Sequence, residues 1–325
     1  MDPARPATTS PRPLPAPPVA DLATVAADVG GAPVAGTLWV LDQLSRVAAF
    51  RLADGREVVV KARPAEPRLA ACTALQAAAA AAGLPCPRPL GSRAAGGWEL
   101  AVEEHRPGGR PCTVGELGIQ PFVDLALRLD DAVGGLAAGT EPAAPPWADP
   151  LHAGADVWPT RDARLPDLRR DPRVPWLDDA AGRVRRRLAD VDGLPRVGHL
   201  DLETHNLRWA EAPGPRTLDH LVSLDDWDSL GVLPQVVVVG QQAGTFTATR
   251  DRFTDPTVAQ SEEFVRRWLA TSGRVWSRDE HEAAWAAGLW TKLFNAQDRV
   301  VHRDAVGVLE HARPDADERL RLARA

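Results

Sequence analysis

The sequence predicts an α+β protein with a small β-rich N-terminal lobe and a larger helical C-terminal lobe. Strand-like segments surround a single helix up to residue 109, whereas amphipathic helical segments dominate the chain after residue 120. A chain of 325 residues is long enough for each lobe to bury its own core. We place the N-terminal lobe at residues 21–106 and the C-terminal lobe at residues 107–325.

The N-terminal lobe is predicted from its strand and turn signals. Three strands are expected, at residues 37–41, 47–52 and 56–62. Asp54-Gly55 lies between the last two, where it favours a tight hairpin turn. An alanine-rich helix follows at residues 67–82 and ends at Gly83 and several prolines. Residues 98–109 then predict a further strand that ends in a turn.

The C-terminal lobe is predicted from helical periodicity and capping signals. Helices are expected at residues 120–136, at 177–190, from Asp255-Pro256 to Gly273, and after Ser277. Ser277 and Glu280 have the spacing of a capping box. The four valines at 236–239 are ambiguous, because their β-branched side chains favour a strand whereas their flanks permit a helix.

Composition excludes several classes of protein. The net charge of −6 argues against non-specific binding of nucleic acid. The chain contains no apolar run of about 18 residues, so we expect no membrane-spanning helix. Residues 1–20 are proline-rich without the apolar segment of a signal peptide, which predicts a disordered tail and a cytoplasmic protein. The three cysteines form no CxxC pair, so neither structural zinc nor a disulfide framework is expected.

The stretch GHLDLETHNLRW at residues 198–209 concentrates polar side chains between apolar segments. One interpretation is a metal-dependent hydrolase, in which His199, Asp201 and His205 bind a transition metal. The other is phosphoryl transfer, which requires a carboxylate to orient the attacking hydroxyl, oxygen ligands for Mg²⁺ and a cation on the nucleotide phosphates. Residues elsewhere in the chain favour the second interpretation.

The remaining parts of a phosphoryl-transfer site occur in a suitable order. Asp201 and Asn206 can share one tight loop, and a predicted strand-turn-strand brings Asp226 back beside Asn206. Their oxygen atoms are the type of ligand that Mg²⁺ prefers. Lys61, at the end of an upstream strand, supplies a cation. Asp225 is the alternative to Asp226 as the metal ligand.

The pattern His199-x-Asp201-x4-Asn206, followed by Asp226-Trp227-Asp228, resembles the "HGD…N…DW" signature of aminoglycoside phosphotransferases and choline kinase-like enzymes. The resemblance extends from about residue 35 to residue 300. It implies a two-lobed protein kinase-like fold. It also implies an ATP- and Mg²⁺-dependent enzyme that transfers the γ-phosphoryl group to a hydroxyl of a small molecule.

The resemblance also implies roles for individual residues. Asp201 would be the catalytic base, and His199 would brace its loop. Asn206 and Asp226 would bind Mg²⁺, while Lys61 would hold the α- and β-phosphates.

Further expectations concern the interlobe hinge, which the resemblance places at EEHRPGG (residues 103–109), the acceptor, and departures from the family pattern. The backbone of Glu104 and Arg106 would meet the adenine. Residues beyond about 230 would select a polar, hydroxyl-bearing metabolite or antibiotic, and the acidic net charge favours an aminoglycoside-like polyamine over an anionic sugar. The turn expected to cover the phosphates, DQLSR at 42–46, contains no glycine. The first helix offers no obvious glutamate partner for Lys61, which leaves a catalytically inactive, nucleotide-binding protein as a further alternative.

Overall fold

A computed structural model describes most of the chain, namely residues 15–42, 45–134, 141–152, 156–159, 168, 170–248, 255–303, 306–309 and 312–325. Residues 1–14 of the predicted tail lie outside this described part. So do residues 43 and 44 of the turn that was expected to cover the phosphates.

The N-terminal part is a five-stranded antiparallel sheet with two helices. Its elements are α1 (Val19–Gly30), β1 (Val34–Asp42), β2 (Arg46–Leu52), β3 (Glu57–Pro64), α2 (Arg68–Ala81), β4 (Pro89–Ala95) and β5 (Trp98–Glu104). The strand order is β1-β2-β3-β5-β4. The predicted hairpin is confirmed, since β2 and β3 are antiparallel neighbours and Gly55 adopts a φ of 88° in the turn between them.

Helix α1 was not predicted, and it begins at Val19 inside the segment that was expected to be a disordered tail. Its buried face includes Leu22 and Ala26, which belong to the same core as Phe50 and Trp98 of the sheet. Strand β4 was not predicted either. The tail prediction failed here because an alanine- and valine-rich helix gains its stability from packing on the sheet, which local sequence does not reveal.

Helix α2 connects the two parts of the molecule. Its buried residues Cys72, Leu75 and Ala79 belong to the large core that contains Phe122 of the C-terminal part, not to the core of the sheet. The helix that follows the Lys61 strand is therefore anchored to the C-terminal part. Consistent with the expectation of no disulfide framework, the three cysteines are free and buried.

The C-terminal part is mostly helical and contains two small antiparallel strand pairs. The helices are α3 (Val114–Leu117), α4 (Gln120–Val133), α5 (Pro175–Leu188), α6 (Gln235–Thr245), α7 (Val258–Ser272), α8 (Arg278–Arg303), α9 (Val306–Leu309) and α10 (Arg313–Ala323). The strands are β6 (Pro195–His199), β7 (Leu207–Trp209), β8 (Leu221–Leu224) and β9 (Leu230–Pro234), paired as β6-β9 and β7-β8. None of the described helices is long and apolar enough to cross a membrane.

The valine segment 236–239 was ambiguous between a strand and a helix, and it lies in helix α6. Every residue of α6 is buried, and the helix crosses α8 at very close range. A Cβ atom added to Gly240 would lie 2.4 Å from the carbonyl oxygen of Ala284. This tertiary packing outweighs the local preference of valine.

The capping predictions have mixed outcomes. Helix α7 begins at Val258 with Thr257 as its N-cap, two residues after the predicted Asp255-Pro256 start, and it ends at Gly273 as predicted. The capping box of α8 is confirmed. The Ser277 backbone N–H donates to Glu280 at 2.6 Å, and the Glu280 N–H donates to the Ser277 hydroxyl at 3.2 Å.

Candidate functional site

The two halves of the polar motif come together through the strand pair β7-β8. Leu207 at the start of β7 pairs with Leu224 at the end of β8. The residues that flank this pair are therefore neighbours, and the Asp225 backbone N–H donates to the carbonyl oxygen of Asn206 at 2.8 Å. The predicted strand-turn-strand is confirmed.

His199 links the end of β6 to the segment that follows β8. Its ring is fully buried, and Nε2 lies 3.0 Å from the carbonyl oxygen of Asp225, to which it donates. The ring also meets Trp227 edge-on, with centroids 6.2 Å apart. Burial lowers the pKa of His199, so the imidazole is neutral and acts as a fixed hydrogen-bond donor.

Asp201 is held by Asn206 in a tight loop. The side-chain amide of Asn206 donates to the Asp201 carboxylate at 2.9 Å and to the Asp201 carbonyl oxygen at 2.8 Å. Since the amide nitrogen makes both bonds, the amide oxygen is the atom that can face a cation.

Asp225 and Asp226 have different surroundings. The Asp225 carboxylate accepts hydrogen bonds from the Ser223 hydroxyl at 2.7 Å and from Arg208 Nε at 3.0 Å, so both of its oxygens are engaged by neighbouring strands. Asp226 has a φ of 64°, a left-handed conformation that is uncommon for a residue with a side chain, and such residues cluster at functional sites. Its carboxylate lines the cleft next to Asn206.

The donor set of Asn206 and Asp226 fits Mg²⁺. Each residue offers oxygen, and both line the same cavity. Hard oxygen ligands with room for water and substrate phosphates are typical of Mg²⁺ sites.

Lys61 has a carboxylate partner that lies on the sheet. Its Nζ is 2.8 Å from Glu103 Oε1, and Lys61 pairs in register with Ala101 of β5. Glu103 is two residues further along β5 and therefore faces the same side. Burial alone would lower the pKa of Lys61, but the carboxylates of Glu103 and Asp226 outweigh that effect and raise it, so the lysine is charged.

Gln76 occupies the position on helix α2 that faces this pair. Its amide donates to Glu103 Oε2 at 3.0 Å and to the Pro87 carbonyl at 2.9 Å. The expectation that α2 supplies no glutamate is correct, but Lys61 is paired. The signal that could have revealed Glu103 is the antiparallel register of two strands, which neither strand shows by itself.

Arg63 was not recognised from the sequence. It lies two residues after Lys61 on β3, and its guanidinium contacts Asp226 Oδ1 at 2.6 Å and Asp228 Oδ2 at 2.7 Å. Burial alone would raise the pKa of Asp226, but the positive charges of Arg63 and Lys61 lower it. Burial, together with the adjacent Asp226 carboxylate, raises the pKa of Asp228 to about 7.

A cavity of about 610 Å³ lies between the sheet and the polar motif. Lys61, Glu104, Arg106 and Asn206 line it, as do apolar side chains of β1 to β3. The Arg106 guanidinium donates to the carbonyl oxygens of Val222 at 3.1 Å and Cys86 at 3.2 Å, which fixes the segment after β5 against the C-terminal part. The volume falls within the usual range of small-molecule sites.

A second cavity, of about 280 Å³, adjoins the first. It contains the Asp201 carboxylate and is lined on its far side by Trp147 and by Phe294 of α8. Arg63 and Asp226 line both cavities and therefore stand where the two meet.

The metal set of the hydrolase interpretation is not assembled as predicted. Asp201, Glu203 and His205 have potential ligand atoms within 4.8 Å of one another, but His199 is not among them. Glu203 was overlooked in the sequence. It is buried, and burial raises its pKa well above the ordinary value.

No protein-family model and no curated protein matches the sequence, but several solved structures match the fold. An amicoumacin kinase, hAmiN, in complex with AMP-PNP, Ca²⁺ and Ami has a TM-score of 0.56 at 11% identity, over 80% of this chain and 79% of that one. A choline/ethanolamine kinase family protein from Mesorhizobium loti has a TM-score of 0.54 at 16% identity, covering 94% and 93%. An aminoglycoside-3'-phosphotransferase of type VIII has a TM-score of 0.54 at 20% identity, covering 82% and 95%.

The chain therefore has the protein kinase-like fold of these small-molecule phosphotransferases. The predicted fold class, α+β with a β-rich N-terminal lobe and a larger helical C-terminal lobe, is confirmed. At these identities the similarity establishes the fold, and the activity must be argued from the site.

Proposed function

We propose that the protein is an ATP- and Mg²⁺-dependent phosphotransferase that transfers the γ-phosphoryl group to a hydroxyl of a small molecule. One observation carries this proposal: two adjoining cavities meet at Asp226, and Asp201 lies in the smaller one. A nucleotide in the larger cavity would direct its terminal phosphate at an acceptor in the smaller one.

The residues at the two ends of the larger cavity would orient a bound nucleotide. Lys61 is charged and fixed by Glu103, so it can hold the α- and β-phosphates. At the other end, the backbone of Glu104 and Arg106 would meet the adenine. Nucleotide would thus lie between the proposed lobes, residues 21–106 and 107–325.

The catalytic step would use Asp201 and the neighbouring oxygen ligands. Asp201 would orient the acceptor hydroxyl and take its proton as the new P–O bond forms. Asn206 and Asp226 would hold Mg²⁺, which neutralises charge on the phosphates when bound. His199 would keep the two segments together through its bond to the Asp225 carbonyl.

The smaller cavity favours a cationic acceptor. Its lining carries four carboxyl groups and two guanidinium groups, those of Glu66, Asp201, Asp226, Asp228, Arg63 and Arg68. Arg63 pairs with Asp226 and Asp228, and Arg68 lies 3.9 Å from Glu66, so Asp201 is the carboxylate of this lining that pairs with neither arginine. The Thr291 hydroxyl is buried without a partner among the described residues, and it lines the same space.

Aromatic and helical residues define the rest of this cavity. Trp147 is half-buried and packs against the buried Phe294 with ring centroids 6.4 Å apart, so Trp147 is the aromatic side chain that a sugar-like ring could contact. Helix α8 contributes Thr291 and Phe294 to the lining, and Trp147, which lies well before residue 230, contributes as well. An amino sugar or another polar, amine-bearing alcohol suits this combination of charge and shape.

Similar structures support this choice of ligands. One is a ternary complex of a thermostable mutant of aminoglycoside phosphotransferase APH(4)-Ia with AMP-PNP and hygromycin B, with a TM-score of 0.55 at 14% identity, over 93% of this chain and 98% of that one. The ligands of that complex are a nucleotide analogue and a small molecule.

The test is phosphoryl transfer from [γ-³²P]ATP to a panel of amino sugars, neutral sugars and amino alcohols. Asp201→Asn should lower turnover by at least about 100-fold, the scale of general-base effects, while MgATP binding stays near that of the wild type. Full activity in the variant would exclude Asp201 as the base. Metal-dependent hydrolysis with no transfer, lost on His205→Ala, would favour the hydrolase alternative instead.

A further inference from the structure

Arg63 occupies a position that the proposed reaction does not yet explain. It lies two residues after Lys61 on β3, so both side chains point to the same side of the sheet, roughly 7 Å apart along the strand. Arg63 lines both cavities, whereas Lys61 lines the nucleotide cavity and not the acceptor cavity. The guanidinium would therefore lie between a nucleotide in the larger cavity and an acceptor in the smaller one.

The guanidinium is bound to the carboxylate proposed as a metal ligand. Arg63 contacts Asp226 Oδ1 at 2.6 Å and Asp228 Oδ2 at 2.7 Å, with only 18% of its side chain exposed. The other Asp226 oxygen accepts a long bond, 3.4 Å from the Ser229 hydroxyl, and the Asp226 carboxylate is also hydrogen-bonded to the side chain of Asp228. A cation that binds Asp226 must therefore share this carboxylate with Arg63 or displace it from Oδ1.

The charges indicate when each arrangement is stable. In the free protein, Arg63 offsets part of the charge of the two aspartates, so a divalent cation entering alone would meet a cation already in place. A bound triphosphate brings several negative charges to the same junction. The triphosphate can attract both the metal ion and the guanidinium. Arg63 can therefore bind the phosphate when it releases Asp226.

We propose that Arg63 is a counter-ion for Asp226 and Asp228 in the free protein and moves to the terminal phosphate when nucleotide and metal bind. The inference rests on the proposed function and adds a residue to it. Its consequence is that the metal ion binds well only together with nucleotide. Arg63 thereby couples the two ligands and contacts the group that is transferred.

The test compares metal binding with and without nucleotide. Mn²⁺ binding to the full chain is measured by electron paramagnetic resonance, alone and with AMP-PNP, for the wild type and Arg63→Met. We expect Arg63→Met to bind Mn²⁺ alone about tenfold more tightly than the wild type, and the coupling between Mn²⁺ and AMP-PNP to fall by about the same factor. Turnover of MgATP should fall by at least about 100-fold.

Two further variants keep the test decisive. Arg51→Met removes an exposed arginine of the same sheet, which pairs with Glu57, and should leave Mn²⁺ binding and coupling unchanged. Arg63→Lys retains the charge without the two-pronged contact, so it should lie between Arg63→Met and the wild type and serves if Arg63→Met does not fold.

The outcomes separate this inference from the proposed function. If the wild type binds AMP-PNP and transfers phosphate, but both Arg63 variants keep wild-type coupling, the role of Arg63 is wrong and the phosphotransferase remains. If the wild type binds no AMP-PNP in the presence of Mn²⁺, the proposed function itself fails.

Discussion

The two cationic side chains of strand β3 pair with carboxylates from different parts of the molecule. Lys61 pairs with Glu103 on a neighbouring strand of the same sheet. Arg63, two residues later, pairs with Asp226 and Asp228, more than 160 residues away in the C-terminal part. The first pair is built into one rigid element, whereas the second spans the cleft.

This difference separates a fixed part of the site from an adjustable part. The Lys61–Glu103 pair is set by strand register and supported by Gln76 of α2, so it is in place before any ligand binds. The Arg63 contacts depend on how the sheet meets the segment that carries Asp226 and Asp228, and on what else occupies the junction of the two cavities. Recognition of the nucleotide would use the fixed pair, and the response to metal would use the adjustable one.

The largest expected effect comes from breaking the fixed pair. Glu103→Leu leaves the Lys61 ammonium buried without its partner, which should lower the free energy of unfolding by about 3–5 kcal/mol. Chemical unfolding monitored by tryptophan fluorescence measures the change. A loss below about 1 kcal/mol, the scale of exposed ion pairs, would show that the pair contributes little.

The matched control for this prediction moves the carboxylate to helix α2. Gln76 already donates a hydrogen bond to Glu103, so Gln76→Glu combined with Glu103→Gln exchanges the amide and the carboxylate between these two positions. The double variant should recover at least about 1 kcal/mol relative to Glu103→Gln alone. No recovery would mean that the sheet position is the only one from which Lys61 can be paired.

A smaller effect is expected from His199, which holds the segment carrying the partners of Arg63. Its pKa is lowered by burial, so the unfolded chain takes up this proton at higher pH than the folded protein. The free energy of unfolding should therefore decrease as the pH falls from about 6.5 toward the folded pKa. His199→Gln should weaken this decrease, as measured by urea unfolding between pH 7.5 and pH 5. An unchanged pH dependence would contradict the assignment.

The fold and much of the site could be predicted because their signals are local. The Asp54-Gly55 turn, the Ser277 cap and the Asp201-x4-Asn206 spacing each lie within a few residues. The strand-turn-strand that brings Asn206 beside Asp225 is also local, because its two strands are close together in the sequence.

The missed features depend on contacts between distant segments. Glu103 is the partner of Lys61 because of strand register, and Arg63 contacts Asp226 because the sheet packs against the segment that carries this aspartate. The helical state of the valines at 236–239 is likewise decided by the close approach of α6 to α8.

The most direct measurement of the central claim is thermal unfolding with ATP, with and without Mg²⁺. Wild-type protein should gain about 2.7 kcal/mol of stability with MgATP at 100 times its dissociation constant. Lys61→Ala should weaken ATP binding in both conditions, whereas Asp226→Asn should remove only the part that depends on Mg²⁺. If millimolar MgATP leaves the wild-type melting temperature unchanged, the cleft is not a nucleotide site and the account is contradicted.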